Sequence, residues 1–178
     1  GGHGYIEEWG MSQFVRDARI AMIYEGANGI QALDLVGRKL AANGGRAVQT
    51  FFAEVDSFIG ENDGEAELAP FIEGLRSAKA QLSEGTMWLM QNGLSNFDNA
   101  GAASTDYLRL FGITGLAYMW ALMAMAALAQ RQSNDPFYDH KLMTGRYFLD
   151  RMLPDAGAHL AKMKAGAAAT MPQPAEAF

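Results

Sequence analysis

"LFGITGLAYMWALMAMAALAQ", Leu110 to Gln130, carries no charged side chain over a length close to the ~20 residues that cross a bilayer. Its reading decides between a membrane segment and a soluble bundle. Much of it is Ala, Gly and Thr rather than Leu, Ile or Val, and no second run of this kind occurs. The expectation is therefore a helix buried on most sides within soluble protein, at a bundle centre or a subunit interface, with no membrane span.

Working outward from this run, apolar residues recur at three-and-four spacing, and no alternating Val, Ile or Thr segments closed by Asn-Gly or Asp-Gly turns are present. The pattern predicts an all-α chain, a bundle of about six helices in up-and-down packing with a helical C-terminal extension. A first helix is expected over 5–16, and a second over 28–42 with Asn28 as N-cap. A third over 45–59 turns Phe51, Phe52, Val55 and Phe58 inward. An acidic turn, "GENDGEAE", precedes a fourth helix opened by Pro70 and running to about Leu94. "SNFDNAGAAST" reads as a loop, followed by a fifth helix over 104–130, loosened at Gly112 and Gly115. Pro136 opens a sixth, bent at Pro154. The small, Pro-dotted stretch from Gly166 reads as a mobile tail. The Met-rich run Met119 to Met125 and the three tryptophans, Trp9, Trp88 and Trp120, read as packing residues.

Composition limits the partners. The chain has 178 residues, is 49% hydrophobic, carries a net charge of -6 and holds no cysteine. Nothing in that balance recruits nucleic acid or anionic lipid. Disulfides and thiolate chemistry are excluded, and the cytoplasm is the expected compartment. The start, Gly1-Gly2-His3-Gly4-Tyr5, shows neither an initiator Met nor a leader, so the chain is expected to be a piece of a longer protein.

Spacing removes most catalytic chemistry. A di-iron bundle needs two Glu-x-x-His pairs, but the residues three before His140 and His159 are Phe137 and Ala156. Asp155 and His159 lie one helical turn apart without a third ligand, so a solvated helix face is expected and no metal site. No phosphate loop, Gly-x-Ser-x-Gly elbow or zincin pair is present. The Arg16-Asp17-x-Arg19 group reads as charges solvating a helix end.

Glu25 has two readings. Residues Ile20 to Tyr24 are mostly apolar and Gly26 removes a side chain that would obstruct a ligand, which suits a partly desolvated carboxylate tuned to take a proton from carbon. Alternatively, Glu25 faces water in an interhelix turn.

Three motifs in order bear on that choice: Gly1-Gly2-x-Gly4-Tyr5, Arg16-Asp17-Ala18-Arg19-Ile20, and Tyr24-Glu25-Gly26 followed by Ile30-Gln31. In this order and at this spacing they closely resemble the C-terminal catalytic region of acyl-CoA dehydrogenases, over about the first quarter of the chain. The stretch from Ala41 to Phe178 resembles the additional C-terminal helical domain of a long-chain-format subgroup, which includes enzymes acting on sulfur-containing acyl-CoAs. The resemblance divides the chain into a catalytic part, 1–43, an additional helical domain, 44–165, and a tail, 166–178.

The resemblance implies roles. Glu25 would abstract the α-proton of an acyl-CoA thioester as the β-hydride passes to FAD, and Gly26 would lie against the substrate. Gly1, Gly2, Ala27, Asn28, Gly29 and Gln31 match positions beside FAD. Most members carry Thr where this chain has Ala27, so a hydroxyl hydrogen bond to the flavin is absent there or is replaced by Asn28. An electron-transfer flavoprotein is the implied electron acceptor, and a homo-oligomer the implied state of the full-length parent. The isolated chain is expected to retain no FAD and to be inactive, because most of the flavin cradle and acyl pocket would lie in other parts of the protein. Two alternatives stay open: a non-catalytic helical oligomerisation module, and an alkylation-response type of flavoprotein relative, whose basic DNA-facing region the acidic balance here does not match.

Overall fold

The computed structural model describes residues 1–23, 27–173 and 175–177. Every regular element among them is helical, so the all-α expectation is met. The chain divides into two compact units, Gly1–Gln31 and Ala32–Phe178.

The first unit contains α1 (Gly2–Tyr5), a 3-10 turn over Glu7–Trp9, α2 (Ser12–Ile23) and the start of α3 (Ala27–Asp34). The single helix expected over 5–16 is therefore not formed. Gly10 takes a left-handed φ of 70°, a conformation a side chain resists, and closes the 3-10 turn before α2 begins. No residue of α2 is buried. Trp9 is 55% exposed, which corrects its expected packing role, and its ring meets that of His3 edge-on at 5.5 Å.

The second unit is a bundle of α4 (Arg46–Asn62), α5 (Ala69–Trp88), α6 (Phe97–Ala129), α7 (Pro136–Arg151) and α8 (Asp155–Lys164). Gly45, at φ 78°, ends the preceding turn and admits α4. Both α3 and α5 pass into a π-helical turn, Leu35–Lys39 and Leu89–Gly93. The core has two joined halves. One is built from Val55, Phe58, Leu68, Phe71, Leu75, Ala121 and Phe148, the other from Val48, Phe52, Leu82, Tyr107, Leu110, Leu160 and Met163. Phe52, Val55 and Phe58 are buried as expected, while Phe51 is only partly covered and stacks on Phe111.

Helix α6 has boundaries that correct the expected ones. It begins at Phe97, inside the stretch read as a loop, because the Asn96 side chain accepts the N–H of Asp98 at 3.0 Å and caps it. It continues unbroken through Gly112 and Gly115. It is long and apolar enough to cross a membrane by length and composition, yet only 39% of its most apolar window is buried. Within this chain α6 thus buries one face, as a helix at a bundle edge does rather than one at a bundle centre. Tyr107, Leu110, Thr114, Ala117, Ala121 and Ala124 point inward, whereas Leu116, Met119 and Met123 are exposed. The methionines expected as core filling lie on the outer face.

Pro136 opens α7 as predicted, with the Asp135 carboxylate accepting the N–H of Phe137 at 2.9 Å. Pro154 separates two helices rather than bending one, since a ring nitrogen without a proton starts α8 at no cost. Beyond α8, Ala167 is buried and its N–H donates to Asn99 Oδ1 at 3.0 Å, which docks the start of the C-terminal segment on the first turns of α6.

Candidate functional site

Glu25 and Gly26, the expected base and its neighbour, lie outside the described residues. Ala27, Asn28, Gly29 and Gln31 are brought together on the first turn and a half of α3. Helix α3 starts at Ala27, so Asn28 stands inside the first turn instead of capping it. No acidic side chain occupies that turn, and no atom lies within 4 Å of where a Cβ on Gly29 would stand. The first turn of α3 leaves backbone N–H groups without intrahelical partners, which suits an anionic or hydrogen-bonding ligand edge. Gly1 and Gly2 belong to a separate element, at the exposed start of α1, and neither has an atom within 4 Å of a would-be Cβ.

The charged group on α2 forms a surface chain. Gln13 Nε2 donates to Asp17 at 2.7 Å, and Arg16 donates to Gln13 Oε1 at 2.8 Å. Further along, Arg38 and Lys39 bond Asp34 at 2.6 and 3.1 Å, and they hold its carboxyl down to about 2. Both cations are thereby matched by one carboxylate.

Among the described residues no three His, Asp or Glu side chains converge to hold a metal ion. The solvated face expected for Asp155 and His159 holds for Asp155 alone. His159 is 8% exposed and pairs through Nδ1 with Asp106 of α6 at 2.7 Å. This pair ties α8 to α6. Sequence spacing had no means to show it, because the partners stand 53 residues apart.

A second polar pair lies deeper. Thr86 Oγ1 donates to the carbonyl of Leu82 at 2.8 Å and shares a 2.9 Å hydrogen bond with the hydroxyl of Tyr107. Burial pushes the Tyr107 phenol up to about 12, with the bond to Thr86 opposing the shift. Thr86 also touches an apolar cavity of about 540 Å³ within the second unit, a feature with no signature in the sequence pattern.

Comparison with known proteins gives two adjoining family matches. Residues 51–174 match the family described as acetyl-CoA dehydrogenase C-terminal like, and residues 1–41 match the acyl-CoA dehydrogenase C-terminal domain. The chain is 35% identical, over 89% of its length, to a 3-methylmercaptopropionyl-CoA dehydrogenase of Ruegeria pomeroyi, of which it covers 27%. It is 28% identical, over 86% of its length, to the broad-specificity linear acyl-CoA dehydrogenase FadE5 of Mycobacterium tuberculosis, again covering 27%. Over its whole length it is 27% identical to a butyryl-CoA dehydrogenase of Syntrophomonas wolfei and covers 30% of it. The chain thus spans between a quarter and a third of the curated relatives it matches.

Proposed function

Since the chain belongs to the acyl-CoA dehydrogenase family, we propose that it is the C-terminal part of a flavin-dependent enzyme that introduces an α,β double bond into an acyl-CoA thioester. The observation that carries this is the joint order and spacing of the three motifs ending in Tyr24-Glu25-Gly26.

Glu25 is the base in this reading. Its carboxylate takes the α-proton, whose acidity is raised by the adjacent thioester carbonyl. Its own backbone N–H helps polarise that carbonyl, stabilising the negative charge that develops on oxygen. Gly26 leaves room for the substrate to approach the backbone. Ile20, Met22 and Ile23 before it are exposed in the isolated chain, so the desolvation that would raise the proton affinity of such a carboxylate has to come from other parts of the enzyme.

In this proposal Gly1, Gly2, Ala27, Asn28, Gly29 and Gln31 would hold one edge of FAD; unobstructed backbone at Gly1, Gly2 and Gly29 and the N–H groups at the start of α3 support it. When bound, FAD supplies the acceptor for the β-hydrogen with its electron pair. These contacts cover one edge only, whereas a bound small molecule is ordinarily buried over about 70–90% of its surface. The chain alone is therefore expected neither to retain FAD nor to turn over substrate. Exposed Phe14, Met22 and Ile23 on α2 support this reading, since a 12-residue helix with no buried side chain is marginal in water without cover from elsewhere. An electron-transfer flavoprotein as acceptor, a homo-oligomeric enzyme and a cytoplasmic location belong to the same proposal.

The test is Glu25→Gln in the full-length enzyme. The amide keeps shape and hydrogen bonding but takes no proton, so flavin bleaching by acyl-CoA is expected to fall at least a hundredfold while acyl-CoA still binds. Unchanged bleaching would return Glu25 to a solvated turn.

A further inference from the structure

We propose that the cavity in the second unit is a binding site for an unbranched aliphatic chain. It rests on the shape and chemistry of the cavity and not on the catalytic reading. Its walls come from Val36, Leu40, Val48, Leu89, Leu94 and Phe97, and two of its sides are the π-helical turns Leu35–Lys39 and Leu89–Gly93. A π turn inserts one residue into a helix and spreads its side chains, a distortion that clusters at functional sites. Here two such turns border the same space.

Three observations fix the class of ligand. The first is an apolar lining: no charged side chain lines the cavity, and its polar lining side chains are Thr86 and, on the exposed side, Gln49. The Thr86 hydroxyl is already bonded to Leu82 and Tyr107, so the buried part of the lining offers a guest no free polar side chain. Second, Phe97 is the sole aromatic side chain in the lining, and at 81% exposure it stands at the rim. The interior therefore has no ring to stack on, which favours aliphatic over aromatic guests. Third, the volume of about 540 Å³ is between three and four times the ~150 Å³ that accommodates one benzene, room for a chain of about a dozen carbons or more.

The cavity opens to water past Leu33, Met90, Leu94 and Phe97, each at least 48% exposed. A head group would sit outside, facing no lining cation. Free fatty acid, fatty alcohol and acyl thioester thus present the same recognised chemistry, and chain length rather than head group sets the affinity.

The experiment titrates the 178-residue chain by calorimetry with fatty acids of eight to sixteen carbons, and with dodecanol and dodecanoyl-CoA, all below their micellar concentrations. Affinity is expected to rise about fourfold per added methylene and then level off when the cavity is full. At twelve carbons the acid, alcohol and thioester are expected to agree within about threefold. Gly101→Phe places a ring at the cavity where a Cβ would meet nothing within 4 Å, and it replaces a glycine inside a helix. It should lower affinity at least tenfold without lowering the thermal midpoint. Independently of that variant, the Met90 methyl resonance should shift on adding dodecanol while those of Met119 and Met123, which lie outside the lining, stay in place. Absence of binding by the folded chain, affinity independent of chain length, a tenfold preference for one head group, or an unmoved Met90 signal would each overturn the proposal.

Discussion

The hydroxyl pair of Thr86 and Tyr107 offers the sharpest test of the packing. Tyr107 is fully buried and Thr86 is 4% exposed, so neither hydroxyl has water in reserve. Because the Thr86 proton points to the Leu82 carbonyl, its oxygen accepts from Tyr107, and the phenol is the donor. Tyr107→Phe removes that donor and leaves Thr86 still bonded to Leu82, a loss of about 1 kcal/mol. Thr86→Val is nearly isosteric but leaves a buried phenol proton without an acceptor, a loss of about 2 kcal/mol. In the double variant no orphan remains, so the combined loss should be about 1–1.5 kcal/mol instead of the additive ~3. Urea unfolding followed by circular dichroism measures each value, with an unchanged slope confirming that the same surface unfolds. Additivity within about 0.3 kcal/mol would refute the reasoning, because additive losses mean that the two hydroxyls do not bond each other.

The remaining outcomes concern the same bundle. A Cβ on Gly145 would stand 2.7 Å from Phe71 Cε1 and 3.2 Å from Trp120, so Gly145→Ala should destabilise by about 1–2 kcal/mol after the helix-propensity gain. Gly112, with nothing within 4 Å, should instead gain about 0.5–1 kcal/mol on becoming Ala, both read from urea midpoints. The Tyr107 phenol, raised from about 10 to about 12 in the fold, contributes stability that is complete below pH 10. That contribution is lost as pH climbs through 12, to a total of about 2–3 kcal/mol; Tyr107→Phe should flatten this part of a pH series of unfolding curves. Asn96→Ala removes the cap of α6 and should cost about 1 kcal/mol, with hydrogen exchange rising first in residues 97–100.

Local punctuation was legible in the sequence. Pro136 and the Gly44-Gly45 pair mark boundaries the structure keeps, because proline and left-handed glycine act within a residue or two of themselves. The start of α6 was not legible, since "SNFDNAGAAST" has the composition of a loop. Its small residues serve close packing instead: a Cβ on Gly93 would lie 3.3 Å from that of Ala100. His159 was misread for a related reason. Periodicity compares a residue with neighbours three and four away, whereas its partner Asp106 comes from another helix. The outward turn of Met119 and Met123 and the cavity both depend on how distant segments assemble, which a pattern along one helix does not record. The proposal for Glu25 rests on the order of three motifs, as no spacing of apolar residues distinguishes a proton-taking carboxylate from a solvated one.

Burial separates what holds this chain together from what would do its chemistry. The second unit closes a core of its own, from Val48 on α4 to Met163 on α8, and there Thr86 pairs with Tyr107 and His159 with Asp106, while Gln81 Oε1 is buried without a partner among the described residues. The first unit closes no such core: Tyr5, Phe14, Met22 and Ile30 are each more than 60% exposed, and α2 buries nothing. Apolar side chains of that size, each worth about 1.5–3 kcal/mol on full burial, would stabilise this segment only when something covers them. The motifs around the proposed base lie in this exposed unit, so in the proposed mechanism the desolvation that would raise a carboxylate's proton affinity has to come from cover rather than from α2. Substitutions in the bundle should accordingly change unfolding of the isolated chain, while substitutions in the motifs should be silent there and appear only in the turnover of the full-length enzyme.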